Sequence, residues 1–134
     1  MTILITAEKA LSLLQNAVAA KGADYVYPRS ADSITKICVY TRGGEPSCGV
    51  GYALHEAGVS IEGLEALDNA DTEMWQTTAI GEENVQYVLR NELDVLITDE
   101  AVSVFSAFQS AQDSGEEWGV ALKYASREAS LVSA

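Results

Sequence analysis

Two cysteines and a single histidine are the side chains of this chain that could serve as nucleophile, base or soft metal ligand. Cys48 stands in the stretch "GGEPSCGVGYALHEAGVS", where a Gly-Gly turn and Pro46 precede a helical pattern. This pattern places Cys48 at or just inside the amino terminus of a helix, with Ser47 as the expected cap. Cysteine nucleophiles are often mounted in this way. Such a nucleophile also needs a base within hydrogen-bond reach.

The histidine lies too far along the same helix to act as that base. His55 follows Cys48 by two helical turns, which separates the two side chains by about 10 Å along the axis. Cys38, Cys48 and His55 also fail to match the spacing of a common zinc site, and a fourth ligand is missing. The residues therefore predict no catalytic residue, no metal and no cofactor.

Three roles remain open for Cys48. The favoured one is a small apolar residue that seals a strand–turn–helix junction. A disulfide with Cys38 is geometrically conceivable, but the predicted compartment does not support it. The third is a site for a small anionic ligand at the helix start. Its residues would be Arg42, Ser47, Cys48 and Gly49. Gly49 and Gly51 fit either the close approach of another backbone or amide groups that must reach a ligand.

Apolar periodicity predicts a fold of class α+β, mainly helical, with five or six short helices packed on a small antiparallel β-hairpin. Thr6 is the expected cap of a first helix that ends near Gly22. The β-branched and aromatic stretches Asp24–Pro28 and Ile34–Thr41 are the expected strands. Ser60 is the expected cap of a further short helix.

The last third of the chain predicts a C-terminal αα-hairpin. Residues 84–97 fit a helix at their start and a strand at their end, and we expect a short helix followed by an extended link. Thr98 is the expected cap of the next helix, and Ser114 with Glu117 has capping-box spacing for the last one. A turn this short between two helices is typical of an αα-hairpin. Residues 127–134 are expected to form a frayed tail.

The length predicts one globular domain over 1–134, with no internal repeat visible. The apolar stripes of the expected helices and strands supply its core. The predicted core residues are Leu11, Leu14, Val18, Val39, Leu54, Trp75, Phe105, Phe108, Trp118 and Leu122. Leu13 and Ala19 lie off the stripe of the first helix and are interpreted as surface apolar residues that hint at self-association.

The chain is strongly acidic, with 20 acidic against 8 basic residues and a formal net charge of −12. Such a surface makes nucleic acid a poor direct partner, because phosphate binding depends on Lys and Arg. The acids are interpreted as a solvated surface or, alternatively, as a mimic of a nucleic-acid backbone aimed at a basic host protein. The chain has no apolar run of about 18 residues, so the sequence predicts no membrane span. The start "MTILIT" lacks a basic leader, so we expect a cytoplasmic location.

The stretch "CGVGYALHEAGVS" resembles the nucleophile helix of NlpC-type papain-like cell-wall peptidases. In those enzymes a cysteine opens a helix that closes with Ala-Gly-Val or Ala-Gly-Ile. The family's separate downstream histidine has no counterpart in this chain. A cysteine hydrolase is therefore the distant alternative.

Three blocks in order resemble a family of small uncharacterised proteins of actinobacterial phages. They are "CVY" at 38–40, "GEPSCGVGYAL" at 44–54 and "QDSGEEWGVAL" at 112–122. The family carries no established activity, so the resemblance implies a phage origin and no catalytic residues. We therefore expect a non-enzymatic accessory protein that binds a host bacterial protein or assembles with itself as a homo-oligomer. The alternative is a small-anion or nucleotide-binding sponge that uses residues 47–49.

Overall fold

The computed structural model describes residues 2–27, 40–69 and 80–133. In chain order its elements are β1 Ile3–Ile5, α1 Ala7–Lys21, β2 Thr41–Arg42, β3 Glu45–Pro46, α2 Gly49–Ala57, α3 Ile61–Asp68, α4 Glu83–Tyr87, a π-helical turn Val88–Glu92, β4 Val95–Ile97, α5 Asp99–Asp113 and α6 Trp118–Ser133. Within these ranges helices dominate, and two two-stranded sheets complete the fold. The predicted class, α+β and mainly helical, is confirmed.

The core lies where α1, α2, α5 and α6 pack against one another. Of the predicted core residues, those in the buried interior are Leu14, Val18, Leu54, Phe105, Phe108 and Trp118. Leu11 and Leu122 are partly buried against the same cluster, whereas Val39 and Trp75 lie outside the described residues. The surface position expected for Leu13 is wrong, because α1 is covered by three neighbouring helices and Leu13 is buried among them.

The antiparallel hairpin is the pair β2–β3, which turns at Gly43 and Gly44. Both glycines have positive φ, the conformation that a two-residue hairpin turn requires. The strands expected from sequence were placed earlier in the chain. Of the first, Val26 forms an isolated bridge with Glu117. Residues 34–39 of the second lie outside the described residues, and only its last residue is in β2.

A parallel strand pair, β1 with β4, is the feature that the sequence analysis missed. Ile3 pairs with Val95, Leu4 with Leu96 and Ile5 with Ile97. Each strand runs into a threonine cap and then a helix of 15 residues, so the stretches "ILITAE" and "VLITDE" are the same strand–cap–helix element used twice.

Residues 84–97 contain both of the structures that the sequence suggested, a helix first and a strand after it. The chain forms α4, continues as the π-helical turn, and then enters β4. Asp94 makes the turn into the strand with φ of 56°, the only positive φ outside glycine among the described residues. The extended link that we expected is a paired strand.

The C-terminal αα-hairpin is confirmed, with α5 packed closely along α6. Its capping differs from the prediction. Ser114 ends α5 instead of starting α6, because its hydroxyl donates to the carbonyl of Ser110 at 2.9 Å. The first amides of α6 are satisfied by another segment: Trp118 N–H donates to the Tyr25 carbonyl at 2.8 Å. Helix α6 continues to Ser133, through most of the stretch expected to form a frayed tail.

Candidate functional site

Cys48 is fully buried and is itself the cap of α2. Its Sγ accepts a hydrogen bond from the Gly51 N–H at 3.4 Å. Ser47, the cap expected from sequence, instead shares a hydrogen bond of 2.9 Å with the Tyr27 hydroxyl. The thiol therefore serves the start of its own helix, in keeping with the role of a small residue that seals the junction.

The amide of Gly49, in the first turn of α2, is also used within the protein. Gly49 N–H donates to Gln112 Oε1 at 2.9 Å, and Gln112 is 1% exposed. Arg42 is exposed and lies over the Tyr27 ring, 5.9 Å from its centroid. Of the four residues predicted to bind an anion, Cys48 and Gly49 are buried and bonded within the protein, whereas Arg42 is exposed and Ser47 is partly exposed. The anion site stays a prediction, and the contacts of Cys48 and Gly49 argue against it.

Gly49 and Gly51, which have no Cβ, let the first turn of α2 lie directly against neighbouring atoms. A Cβ on Gly51 would collide with the backbone carbonyl oxygen of Tyr40, and one on Gly49 would collide with the ring of Phe108. Of the two reasons considered for these glycines, the close approach of a backbone therefore holds at Gly51.

Unlike the buried Cys48, His55 reaches solvent. Its side chain is exposed, and Nδ1 lies 2.9 Å from the Val59 carbonyl oxygen, so this ring nitrogen donates its proton there. Within the described residues, no group of three or more His, Cys, Asp and Glu side chains could hold a metal ion. None of the described helices is both long and apolar enough to cross a membrane.

Buried Cys48 should resist alkylation. We expect iodoacetamide to modify Cys48 at least about 100-fold more slowly in the native protein than in urea, because the thiol reacts only when the junction opens. Peptide-resolved mass spectrometry separates it from Cys38. Rapid stoichiometric modification of Cys48 at neutral pH would contradict its structural role.

Buried and partly buried polar side chains hold the loops around this junction, and sequence reasoning missed the roles of Gln109 and Asp68. Gln109 is 3% exposed; its Oε1 accepts from Ile80 N–H at 2.8 Å, and its Nε2 donates to the Tyr40 hydroxyl at 3.4 Å. The Asp68 carboxylate accepts from the amide of Tyr40 at 2.7 Å. The position of Gln109 one turn before Gln112 on the apolar face of α5 is the signal that could have revealed it.

Lys21 is the cation set among aromatic rings at the end of α1. Its Nζ lies 5.3 Å from the centroid of the Tyr25 ring and 5.5 Å from that of Tyr52. A hydrogen bond to Tyr52 raises the pKa of Lys21 above its ordinary value. The group is almost fully solvated, so this contact anchors a side chain and does not prepare it for chemistry.

The outward side of the parallel strands, which we call the Leu4–Leu96 face, is the clearest exposed apolar feature of the sheet. Leu4 and Leu96 lie side by side in register and are 57% and 45% exposed. The bonds from Ile3 N–H to the Asp94 carbonyl and from Thr98 N–H to the Ile5 carbonyl set the ladder. This ladder turns the backbone N–H and C=O of Leu4 toward the opposite edge, which pairs with none of the described strands.

Acidic side chains lie at both ends of the Leu4–Leu96 face. Asp94 is exposed at the amino end of the strands, where it accepts from the Thr2 hydroxyl at 2.9 Å. Beyond the carboxyl end, the first turns of α1 and α5 carry exposed carboxylates. These are Glu8, Asp99 and Glu100, with Lys9 as the neighbouring cation.

Comparison of the chain with protein-family models, with curated proteins and with solved structures finds no match.

Proposed function

We propose that this chain is a non-enzymatic accessory protein of a phage that acts in the host bacterial cytoplasm by binding a host protein. The observation that carries the proposal is the Leu4–Leu96 face, which is apolar at its centre and acidic at both ends, and whose β1 edge pairs with none of the described strands. Burial of the thiol and the outward turn of the histidine support a binding role over a hydrolytic one.

The chemistry of the face indicates its partner. An extended segment can add to an open strand edge, with backbone hydrogen bonds for affinity and alternate side chains for specificity. Such a segment would place apolar side chains on Leu4 and Leu96 and basic side chains near Asp94, Asp99 and Glu100. Asp94 supplies the negative charge at the amino end of the strands, where its side chain is exposed.

A second copy of the chain is the less suitable occupant of this face. Two copies would bring like-charged ends together, which costs affinity. Burying the two half-exposed leucines contributes about 2–3 kcal/mol. Charge attraction and backbone hydrogen bonds must therefore supply much of the binding free energy, and a basic partner provides the attraction.

Titration with a synthetic peptide tests the proposal. The probe alternates Val or Ile with Thr over five residues and carries two lysines at each end. We expect it to bind with a Kd of about 10–100 μM by fluorescence anisotropy, which is typical of a short strand added to an edge. Replacing both leucines, Leu4→Glu with Leu96→Glu, should weaken binding by at least about 10-fold, because it removes apolar area and the carboxylates crowd the centre.

Two controls separate docking from general attraction between opposite charges. The variant Tyr87→Glu adds a carboxylate at a residue that is 61% exposed on α4, and it should leave the affinity within about 2-fold. A probe with glutamates in place of the lysines should not bind. Equal binding by all variants, or no binding by the wild-type chain at millimolar peptide, would overturn the proposal.

A further inference from the structure

We infer that the outer face of α6 joins two copies of this chain in an antiparallel, two-fold symmetric pair. This face is separate from the Leu4–Leu96 face, and the inference does not rest on the proposed host partner. It rests on the order of four residues along α6 and on the groove beside them.

Exposed apolar side chains lie on one face of α6. Tyr124 is 47% exposed and Leu131 is 65% exposed. The two are seven residues apart, so they project from the same side of the helix two turns from each other. Leu131 has the largest exposed fraction among the large hydrophobic residues of the described chain. A ridge of this kind packs against a second helix when its charges allow it.

Opposite charges stand between the two apolar residues. Arg127 and Glu128 occupy the same face, one turn from each end. The Arg127 guanidinium lies over the Tyr124 ring, 5.8 Å from its centroid, which holds it along the ridge. The resulting order is aromatic, cation, anion, aliphatic.

This order is self-complementary about a two-fold axis. When two α6 helices run antiparallel with the axis between Arg127 and Glu128, each Arg127 faces the Glu128 of the other copy. The same axis places each Tyr124 against the other copy's Leu131. A two-fold contact requires this kind of pattern, in which one patch matches itself. The net charge of the chain opposes association in general, but the reciprocal ion pairs remove repulsion along this ridge.

Small side chains on α5 leave a groove beside the α6 ridge, which gives a second helix room to approach. A groove of about 430 Å³ runs between α5 and α6 beside Tyr124, Arg127 and Glu128. Its other side consists of Ala107, Ser110 and Ala111 of α5, followed by Ser114 and Glu116 of the turn into α6. Helices pack at interaxial distances of about 8–10 Å, and the shorter distances need small residues at the contact. The groove can therefore receive the ridge of the second copy.

Sedimentation equilibrium with charge-reversal variants tests the pair. The wild-type chain should dimerise with a Kd of about 100 μM or tighter. Arg127→Glu and Glu128→Arg should each weaken the dimer by at least about 10-fold, since each places like charges face to face. Combining them restores the opposite charges in reversed order and should return the Kd to within about 3-fold of the wild-type value.

Two further variants complete the test. Leu131→Glu should abolish the dimer, because the apolar contact with Tyr124 is lost. Tyr87→Glu, on another helix, should leave it unchanged, and circular dichroism establishes that every variant is folded. A monomeric wild-type chain at millimolar concentration would overturn the inference. So would a dimer that is unaffected by Arg127→Glu and Glu128→Arg, or one that the combined variant fails to restore. The assay uses no peptide, so its failure is distinguishable from failure of the proposed function.

Discussion

Replacing Gly51 with alanine should lower the free energy of unfolding by about 3 kcal/mol. Helix propensity alone predicts the opposite, a gain of about 1 kcal/mol for alanine over glycine inside a helix. The structure decides between them because the new Cβ would meet the backbone of Tyr40, whose carbonyl oxygen already accepts from Ser47 N–H at 3.0 Å. A shift of α2 would strain the buried hydrogen bonds of the Gly49 and Gly51 amides, and a shift of the carbonyl would strain its bond with Ser47.

Urea denaturation of the variant measures this effect, and Gly81→Ala is its matched control. A Cβ on Gly81 would lie 3.7 Å from the side chains of Val102 and Ser106, which is ordinary contact. The control should therefore change the free energy of unfolding by less than about 1 kcal/mol. A Gly51→Ala protein more stable than the wild type would show that α2 and the β2–β3 hairpin do not approach as the structure has them.

Truncating Gln112 to alanine should also cost about 3 kcal/mol of unfolding free energy. Part of the loss is the cavity left by a side chain that is 1% exposed. The rest is the Gly49 N–H, which loses its acceptor at 2.9 Å and stays buried. Gln112→Leu separates the two parts, because it keeps most of the volume and loses the acceptor. We expect it to cost about 1–3 kcal/mol.

Ser110→Ala is the control on the same helix, since Ser110 is exposed. It should stay within about 0.5 kcal/mol of the wild type. If Gln112→Leu matched that control in chemical denaturation, the amide of Gly49 would have another partner, and α2 would not depend on Gln112 for its first turn.

Elements with strong local signals could be predicted from the sequence. Thr6 and Thr98 each cap a long helix as expected, because a hydroxyl before an apolar stripe of period 3.6 determines both the start and the buried face. The close approach at Gly51 was also among the expectations, because glycine in the first turn of a helix is costly without such a reason.

The parallel strand pair could not be predicted in this way. Strands of three residues carry too short a pattern, and seven described helical or sheet elements separate Ile3–Ile5 from its partner strand. The repeated "LIT" at 4–6 and 96–98 was the available signal, but only pairing in register gives it meaning. Capping by Cys48 instead of Ser47 escaped prediction for a related reason: both residue positions suit a cap, and the contact of Ser47 with Tyr27 decides between them.

The candidate site itself depends on exposure, which sequence pattern does not reveal. The stretches "ILI" and "VLI" resemble core strands, and the first and last residue of each stretch do pack toward the interior. Leu4 and Leu96 alternate to the other side, as strand geometry requires, and no described element covers them. Only the sheet and its neighbours show that these two leucines reach solvent.

Quantitative affinity capture from a lysate of the proposed bacterial host tests the central claim most directly, when the wild-type chain is compared with the variant carrying Leu4→Glu and Leu96→Glu. We predict that the wild-type chain retains a stoichiometric partner that crosslinks near residues 94–100 and presents an apolar segment between basic residues. Recovery by the double variant should fall at least about 10-fold, with Tyr87→Glu unchanged. Equal recovery by both chains, or a partner that crosslinks elsewhere, would contradict the account.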